Sequence, residues 1–121
     1  MSEFLNKYNL EERTAKFGEG VLVFVKEIPQ TNINRPLIEQ LVRSATSVGA
    51  NYMEANGASS KKDFRNKIYI CKKESQETKH WLRMLLVTSP ECQGEISKLW
   101  NECQELTLIF GKIVSSLKIN H

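Results

Sequence analysis

Residues 62–85 carry an apolar stripe and a basic stripe at the same helical spacing, and this combination constrains the fold more than any other feature of the chain. Both stripes advance in alternating steps of three and four residues, which is the spacing of one face of a packed helix. The apolar stripe consists of Phe64, Ile68, Cys71, Ser75, Thr78, Leu82 and Leu85. The basic stripe consists of Lys62, Arg65, Tyr69, Lys72, Gln76, Lys79 and Arg83. The pattern predicts a long helix with one face in a core and the other either merely solvated or turned towards an anionic partner.

Positive charge is concentrated in this part of the chain. The whole sequence of 121 residues has a formal net charge of +3. Residues 61–83 hold eight basic and three acidic side chains, so this segment has a net charge of +5 and the remainder of the chain −2. Because salt screens charges beyond about 10 Å, this local excess matters more than the total for attracting a polyanion.

The cysteines point to a reducing environment. Cys71, Cys92 and Cys103 are an odd number in a chain long enough for one domain with a core of its own. Cys71 and Cys103 fall on apolar stripes, where a free thiol behaves as a small apolar group, so we expect a cytoplasmic protein. No run approaches the roughly 18 uncharged apolar residues of a membrane span, and we expect no export signal.

Four segments show helical periodicity, and together they predict an all-α protein. The expected fold is an antiparallel up-down-up-down four-helix bundle in a single domain, residues 1–121. The helices are expected to span about 10–27, 36–56, 61–87 and 91–118. Residues 21–25, VLVFV, suit a buried strand as well as a helix. Helix is favoured because a lone short strand would find no partner elsewhere in the chain.

The other three helices have apolar faces with the same spacing. These faces comprise Leu10, Thr14, Phe17, Val21, Phe24 and Ile28; Ile38, Leu41, Ala45, Val48, Tyr52 and Ala55; and Ile96, Leu99, Cys103, Leu106, Phe110, Ile113 and Leu117. Polar residues predict where three of the helices begin. Asn9 with Glu12 resembles a capping box, Ser60 is placed to cap the third helix, and residues 89–91 are placed to open the fourth.

A short turn between the second and third helices fixes which of their residues face each other. If the turn is centred near residues 58–59, facing residue numbers sum to about 117. This register places Arg43 opposite Glu74. Arg43, Asn51, Glu54 and Glu74 are therefore predicted to form a structural polar network, either buried or at a subunit boundary, unless they are simply solvated.

Catalytic and metal-binding patterns are sparse. The histidines are His80 and His121, so the sequence has no His-x-x-x-His pair. Glu77 and His80 match the Glu-x-x-His unit of bundle di-metal proteins once, whereas those proteins use it twice. Cys71 and His80 would lie on opposed faces of one helix, about 13 Å apart along its axis. We expect no catalytic residue, no metal site and no cofactor.

Aromatic and apolar residues near the stripes bear on assembly. Trp81 and Trp100 flank the apolar stripes, where core packing or a subunit contact is the favoured role. Tyr69 lies within the basic stripe, where it either stacks on an unpaired base or covers lysine side chains. A four-helix monomer has limited room for all such residues, so subunit contacts are expected. The residues in question are Leu22, Val25, Tyr52, Trp81 and Trp100.

Three motifs lie at the end of the second helix and along the third. Residues 43–55 read RSATSVGANYMEA, residues 62–64 read KDF, and residues 70–82 read ICKKESQETKHWL. The pattern of arginine, small residues, Ser, Asn and Glu-Ala, then Lys-Asp-Phe, then Glu-x-x-x-Trp-Leu, resembles proteins encoded in intervening sequences of bacterial 23S ribosomal RNA genes. This S23 family consists of four-helix bundles, and the likeness extends over residues 10–117.

The resemblance implies a ring-like homopentamer. It also implies a relationship to the accessory protein of diversity-generating retroelements, which works with a reverse transcriptase and nucleic acid. The leading hypothesis is a non-enzymatic, cytoplasmic, oligomeric bundle that binds structured RNA or an RNA–protein complex. The candidate nucleic-acid-binding residues are Lys62, Arg65, Tyr69, Lys72, Lys79 and Arg83. The alternatives are a protein-binding scaffold, whose basic stripe only keeps it in solution, and a metal or thiol enzyme.

Overall fold

The computed structural model describes residues 8–117, which form four α-helices and, within that range, no strand. The helices are α1, Leu10–Val25; α2, Asn34–Asn56; α3, Lys61–Thr88; and α4, Gln93–Ser116; a 3-10 turn spans Pro90–Cys92. The all-α prediction is confirmed, and residues 21–25 are helical. The ends of α1 and α2 differ slightly from the expected positions, as is usual at helix termini.

Each helix packs against two neighbours. Helix α1 lies against α2 and α4, and α3 lies against the same two helices. The diagonal pairs, α1 with α3 and α2 with α4, have no Cα atoms within 8 Å of each other among the described residues. Because short connections join antiparallel neighbours, the chain forms a single-domain up-down-up-down four-helix bundle. The contact between α1 and α4 is the sparsest of the four seams.

The predicted apolar faces form the core of this bundle. Every predicted position is buried except Phe64 and Leu99, which are partly buried at the edge of the core. Polar members of the core find partners close by: Thr78 Oγ1 donates to Ser44 Oγ at 2.9 Å across the α2–α3 seam. Ser75 Oγ donates to a backbone carbonyl one turn earlier at 2.8 Å. Small hydrogen-bonded side chains therefore let α2 and α3 approach closely without leaving these polar groups unpaired.

The starts of α1 and α3 show one wrong and one correct capping prediction. Asn9 has a φ of 47°, in the left-handed region, and its side chain makes no capping hydrogen bond. The predicted capping box of Asn9 with Glu12 is therefore wrong, because such a cap needs an extended backbone at its first residue. Ser60 has that extended backbone, and its Oγ accepts the Asp63 N–H at 3.0 Å.

Helix α4 begins later than the sequence indicates. Ser89 was predicted as its cap, but Ser89 Oγ has no hydrogen-bond partner among the described residues. The segment Pro90–Cys92 instead forms a 3-10 turn in which the last residue donates to the Ser89 carbonyl at 3.0 Å. Such tight turns are common at helix starts, and α4 proper begins at Gln93. The predicted end at Lys118 lies outside the described residues.

Candidate nucleic-acid interface

The basic stripe runs along α3 and divides into exposed and half-buried members. The exposed members are Lys62, Tyr69, Gln76 and Arg83. The half-buried members are Arg65, Lys72 and Lys79. Tyr69 is 55% exposed, so one aromatic side chain is available at the surface of the stripe. The half-buried cations lean on α4, so the stripe occupies the α3–α4 side of the bundle.

Arg65 and Lys72 reach across to the C-terminal half of α4. Arg65 Nε donates to the Val114 carbonyl oxygen at 3.3 Å. Lys72 passes over Gly111, where an added Cβ would lie 3.7 Å from the lysine Cε. The lysine side chain therefore lies along the surface of α4, at a distance where even an added methyl group would make ordinary van der Waals contact. Arg65, Lys72 and Lys79 are successive steps of two helical turns, about 10.5 Å each, so they form a straight row of cations.

Lys79 lies over the N-terminal half of α4. Its Nζ donates to Gln104 Oε1 and lies 5.2 Å from the centroid of the Trp100 ring. A cation over an indole ring is electrostatically favourable. Trp100 is itself 36% exposed, so the indole reaches the surface beside the lysine. The sequence predicts Tyr69 within the basic stripe and Trp100 in core packing or a subunit contact, and the structure brings Trp100 to the surface next to the stripe.

The charge of the stripe is not neutralised within the described part of the chain. None of its five cations has a carboxylate within 4.0 Å there. Their partners are a backbone carbonyl, an amide oxygen and an aromatic ring, all of which are neutral. Lys67, on the same helix, is different, because its Nζ lies 3.8 Å from Glu54 Oε1. The row of Arg65, Lys72 and Lys79, which lies on α3 beside α4, therefore keeps its net positive charge.

Arg43 joins α2 to α3 within one chain. Its Nη1 donates to Glu74 Oε2 at 3.2 Å and its Nη2 to Glu77 Oε2 at 3.1 Å. The Glu74 side chain is only 11% exposed. Its burial, followed by its hydrogen bond to Glu77, raises the pKa of Glu74, whereas the hydrogen bond from Arg43 lowers the pKa of Glu77. One arginine thus holds two carboxylates of the next helix.

Asn51 and Glu54 lie apart from this cluster. Asn51 Nδ2 donates to the carbonyl oxygen and to the Oγ of Ser47, both at 2.9 Å, within α2. Glu54 pairs with Lys67. The structure therefore brings together Arg43 and Glu74, and it places the other two residues of the predicted network in separate contacts.

A second arginine joins α1 to α4. Arg13 Nε donates to Glu102 Oε2 at 2.7 Å and Arg13 Nη2 to Glu102 Oε1 at 2.8 Å, a two-pronged ion pair. Arg13 Nη2 also lies 3.4 Å from Glu105 Oε1. The hydrogen bond to Glu102 is the main cause of the raised pKa of Arg13. No pattern in the sequence indicates this contact, because its partners are 89 residues apart and no short turn fixes their register.

The described residues offer few groups suited to metal binding or to catalysis. They contain no group of three or more His, Cys, Asp or Glu side chains placed to hold a metal ion. Burial raises the pKa of the Cys71 and Cys103 thiols to about 12, so neither is a thiolate near neutral pH. His80 packs edge-on against Trp81, with ring centroids 4.9 Å apart, and His121 lies outside the described residues.

Three surface grooves differ in the charge of their linings. The groove between α1 and α2 has a volume of about 470 Å³ and includes Glu11, Glu12 and Glu19. A groove of about 350 Å³ beside the α1–α2 connection and the end of α3 includes Glu91. The groove between α3 and α4, about 290 Å³, includes Arg83 and no carboxylate. Among these three, the α3–α4 groove alone suits an anionic ligand.

The fold and its surface define the class of protein as an antiparallel four-helix bundle with an unpaired basic row at one seam. The chain belongs to the 23S rRNA-intervening sequence protein family, whose model matches residues 7–112, and this confirms the resemblance seen in the motifs. No helix of residues 8–117 has both the length and the apolar character needed to cross a membrane.

One solved structure gives the same answer for the fold. It is a protein with unknown function from the S23 ribosomal protein family of Bacteroides thetaiotaomicron VPI-5482, determined by crystallography at 1.70 Å resolution. The TM-score is 0.77 at 28% sequence identity, over 87% of this chain and 97% of that one. Among curated proteins, none matches this chain.

Proposed function

We propose that this chain is a non-enzymatic, cytoplasmic, oligomeric bundle that binds structured RNA or an RNA–protein complex through the basic stripe of α3. The observation that carries the proposal is the unpaired row of Arg65, Lys72 and Lys79, flanked by exposed Lys62 and Arg83. Neutral partners on α4 hold the half-buried side chains in place without cancelling their charge. A phosphate backbone is the polyanion that such a row attracts, with little dependence on base sequence.

Membership of the family supports, in addition, assembly into a homopentamer. The surface offers apolar material for subunit contacts: Leu22 and Met53 are exposed and line the α1–α2 groove. Trp100 is also at the surface, and Val25 and Trp81 are partly buried. Tyr52 is predicted both on the apolar face of α2 and among the residues for subunit contacts; the first prediction is confirmed, because Tyr52 is buried in the core and is not available to an interface. Light scattering is expected to give about five times the chain mass of 13.9 kDa.

Fluorescence anisotropy with a labelled RNA hairpin tests the binding proposal. Each phosphate contact contributes a slope of roughly 0.7 to 0.9 in log affinity against log salt. We expect binding at low salt that weakens steeply as salt rises from about 50 to 200 mM. In the double variant Lys62→Glu, Arg83→Glu, both changes are at exposed positions, so binding should be lost while the bundle stays folded.

A matched control carries the same change in charge on the opposite side of the bundle. Lys16→Glu with Lys26→Glu alters two exposed lysines at or beside α1, which is diagonal to α3. This protein should bind RNA more tightly than the α3 variant and with nearly the slope of the wild type. Absence of wild-type binding at the lowest salt, or equal loss in the two variants, would refute the proposal.

The second candidate is a protein-binding scaffold, and the α1–α2 groove favours it. Gly18 and Gly49 are among its lining residues, and exposed Leu22 and Met53 give it apolar surface. The two functions separate on one measurement. A scaffold would show no salt-dependent RNA binding, and its assembly would depend on Met53 rather than on the α3 cations.

A further inference from the structure

The groove between α3 and α4 adjoins the basic row, and of its lining residues Arg83 alone belongs to the predicted site. Its lining combines a cation, an apolar floor, an aromatic ring and two small polar groups. The residues are Arg83, Leu86, Ile96, Ser97, Trp100 and Asn101. Its volume of about 290 Å³ is just below the range of small-ligand sites, which begins near 300 Å³. The space therefore suits one flat heterocycle better than an extended ligand.

Trp100 gives this groove a stacking surface. The indole lines the groove and Trp100 is 36% exposed. The preceding residue, Leu99, packs against the core instead. Lys79 Nζ lies 5.2 Å from the ring centroid, so the ring and a cation are presented together. Aromatic side chains stack on nucleobases whatever their sequence, because every base has a π-face. Tyr69, further along α3, is exposed but does not line this groove.

The positive charge at the edge of the groove favours a nucleotide over a flat ligand that carries no negative charge. Arg83 borders the groove with its guanidinium at an exposed position, and no carboxylate lines it. The α1–α2 groove, by contrast, is lined by three glutamates and would repel a phosphate. The Asn101 amide and the Ser97 hydroxyl add donors and acceptors of the kind that meet the edge of a base. The groove thus offers Arg83 for the phosphate of a nucleotide, Trp100 for the face of its base, and Ser97 and Asn101 for the edge of the base.

We infer that the α3–α4 groove holds an unpaired nucleotide of the bound RNA, with its base against Trp100 and its phosphate beside Arg83. This inference rests on the proposed function and specifies its ligand. In an A-form duplex the bases are stacked inside and show only their edges, so a duplex cannot place a base face on an indole. The protein therefore selects loops, bulges or single strands, while the basic row supplies affinity common to every RNA.

The experiment compares two RNAs with the same number of phosphates, a single-stranded oligoadenylate of about 12 nucleotides and a short duplex. Wild-type protein is expected to prefer the single strand. Trp100→Leu keeps an apolar side chain but removes the ring, and it should weaken single-strand binding by roughly 5- to 150-fold with duplex binding unchanged. Trp100→Phe restores a ring and should recover part of the preference.

Fluorescence gives a readout that does not depend on a variant of Trp100. The chain has two tryptophans, Trp81 and Trp100, so Trp81→Phe leaves Trp100 as the single reporter. Its emission should be quenched by the oligoadenylate and not by the duplex. This measurement also stands if Trp100→Leu proves unstable.

The outcomes separate this inference from the proposed function. If neither RNA binds, both fail. If both RNAs bind equally and Trp100→Leu changes neither affinity, RNA binding stands and the nucleotide groove is wrong. If Trp100→Leu lowers the oligomer mass in light scattering and leaves the RNA preference intact, Trp100 belongs to a subunit contact, and the inference is again overturned.

Discussion

The two seams that flank helix α3 treat positive charge differently. At the α2–α3 seam, Arg43 is met by two carboxylates, Glu74 and Glu77, at 3.2 and 3.1 Å. At the α3–α4 seam, Arg65 and Lys79 are met by a carbonyl oxygen and an amide oxygen. Long cationic side chains are ordered at both seams, but only the first seam neutralises them. Ion pairing thus serves the fold on one side of α3, and unpaired charge remains for an anionic partner on the other.

The α1–α4 seam repeats the first pattern. Arg13 meets Glu102 and Glu105, two acids three residues apart, as Arg43 meets Glu74 and Glu77. Each arginine with its two glutamates forms a cluster that we call an arginine clamp. The two clamps differ in burial: the Glu74 side chain is 11% exposed, whereas the Glu102 side chain is 31% exposed. Two seams of the bundle are therefore clamped by ion pairs, whereas the α1–α2 and α3–α4 seams carry open grooves.

The largest effect on stability is expected for Arg43→Ala. It leaves the buried carboxylate of Glu74 without its cation, which should lower the free energy of unfolding by about 2 kcal/mol at pH 7. The cost stays below that of a fully buried pair because Arg43 is 48% exposed and water can reach its place. Urea unfolding of Arg43→Ala, Glu74→Ala and the double variant measures the coupling. Additive losses would mean that the two side chains do not interact.

The cost of Arg43→Ala should also grow with pH. In the folded protein the pKa of Glu74 is raised, so its contribution to stability is present at low pH and is lost as pH rises above its unfolded value, about 4.3. Arg43 opposes that loss by favouring the ionised form. Removing it should therefore cost less at pH 5 than at pH 8. In the background Glu74→Gln the carboxylate that remains beside Arg43 is Glu77, whose pKa is lowered rather than raised, so the trend between pH 5 and pH 8 should shrink. An undiminished trend there would contradict the explanation.

A smaller loss is expected for Arg13→Ala at the α1–α4 seam. The two-pronged pair with Glu102 is well aligned but partly exposed, so we expect a decrease of about 1 kcal/mol. The seam has few other contacts, so α1 should become easier to open, and hydrogen exchange in α1 should speed up more than in α3. Equal acceleration in both helices would mean that Arg13 acts on the whole bundle rather than on this seam.

The sequence was sufficient for the parts of the structure set by local spacing. Periodicity identified the core faces, and a short turn gave the register that places Arg43 against Glu74. The α1–α4 clamp could not be found that way, because its register depends on two further connections and on the whole arrangement of helices. The same limit applies to the basic stripe. Spacing showed that Lys72 and Lys79 share a helix face with Lys62. It could not show that α4 covers part of that face.

Backbone conformation accounts for the errors at helix ends. Asn9 and Ser60 look equally suitable as caps in the sequence, yet one is left-handed and the other extended. A cap depends on φ and ψ of its first residue, which the approach of the preceding chain determines. Tyr52 illustrates a limit of a different kind. Its spacing fitted the core face of α2, yet it was also counted among the residues for subunit contacts, and the core buries it almost completely.

The smallest stability change, and the sharpest test of the contrast between the seams, is expected for Gln104→Glu. This substitution places a carboxylate beside Lys79 Nζ and converts the neutral contact into an ion pair like those of the clamped seams. The free energy of unfolding should rise by about 0.5 kcal/mol, since the pair is partly exposed. RNA binding should weaken, and the slope of log affinity against log salt should fall by about 0.7 to 0.9, the share of one phosphate contact. Gln30→Glu, in the α1–α2 connection, adds the same charge away from the stripe and should leave the slope unchanged. If Gln104→Glu leaves the slope unchanged as well, Lys79 supports the α3–α4 seam and does not contact RNA.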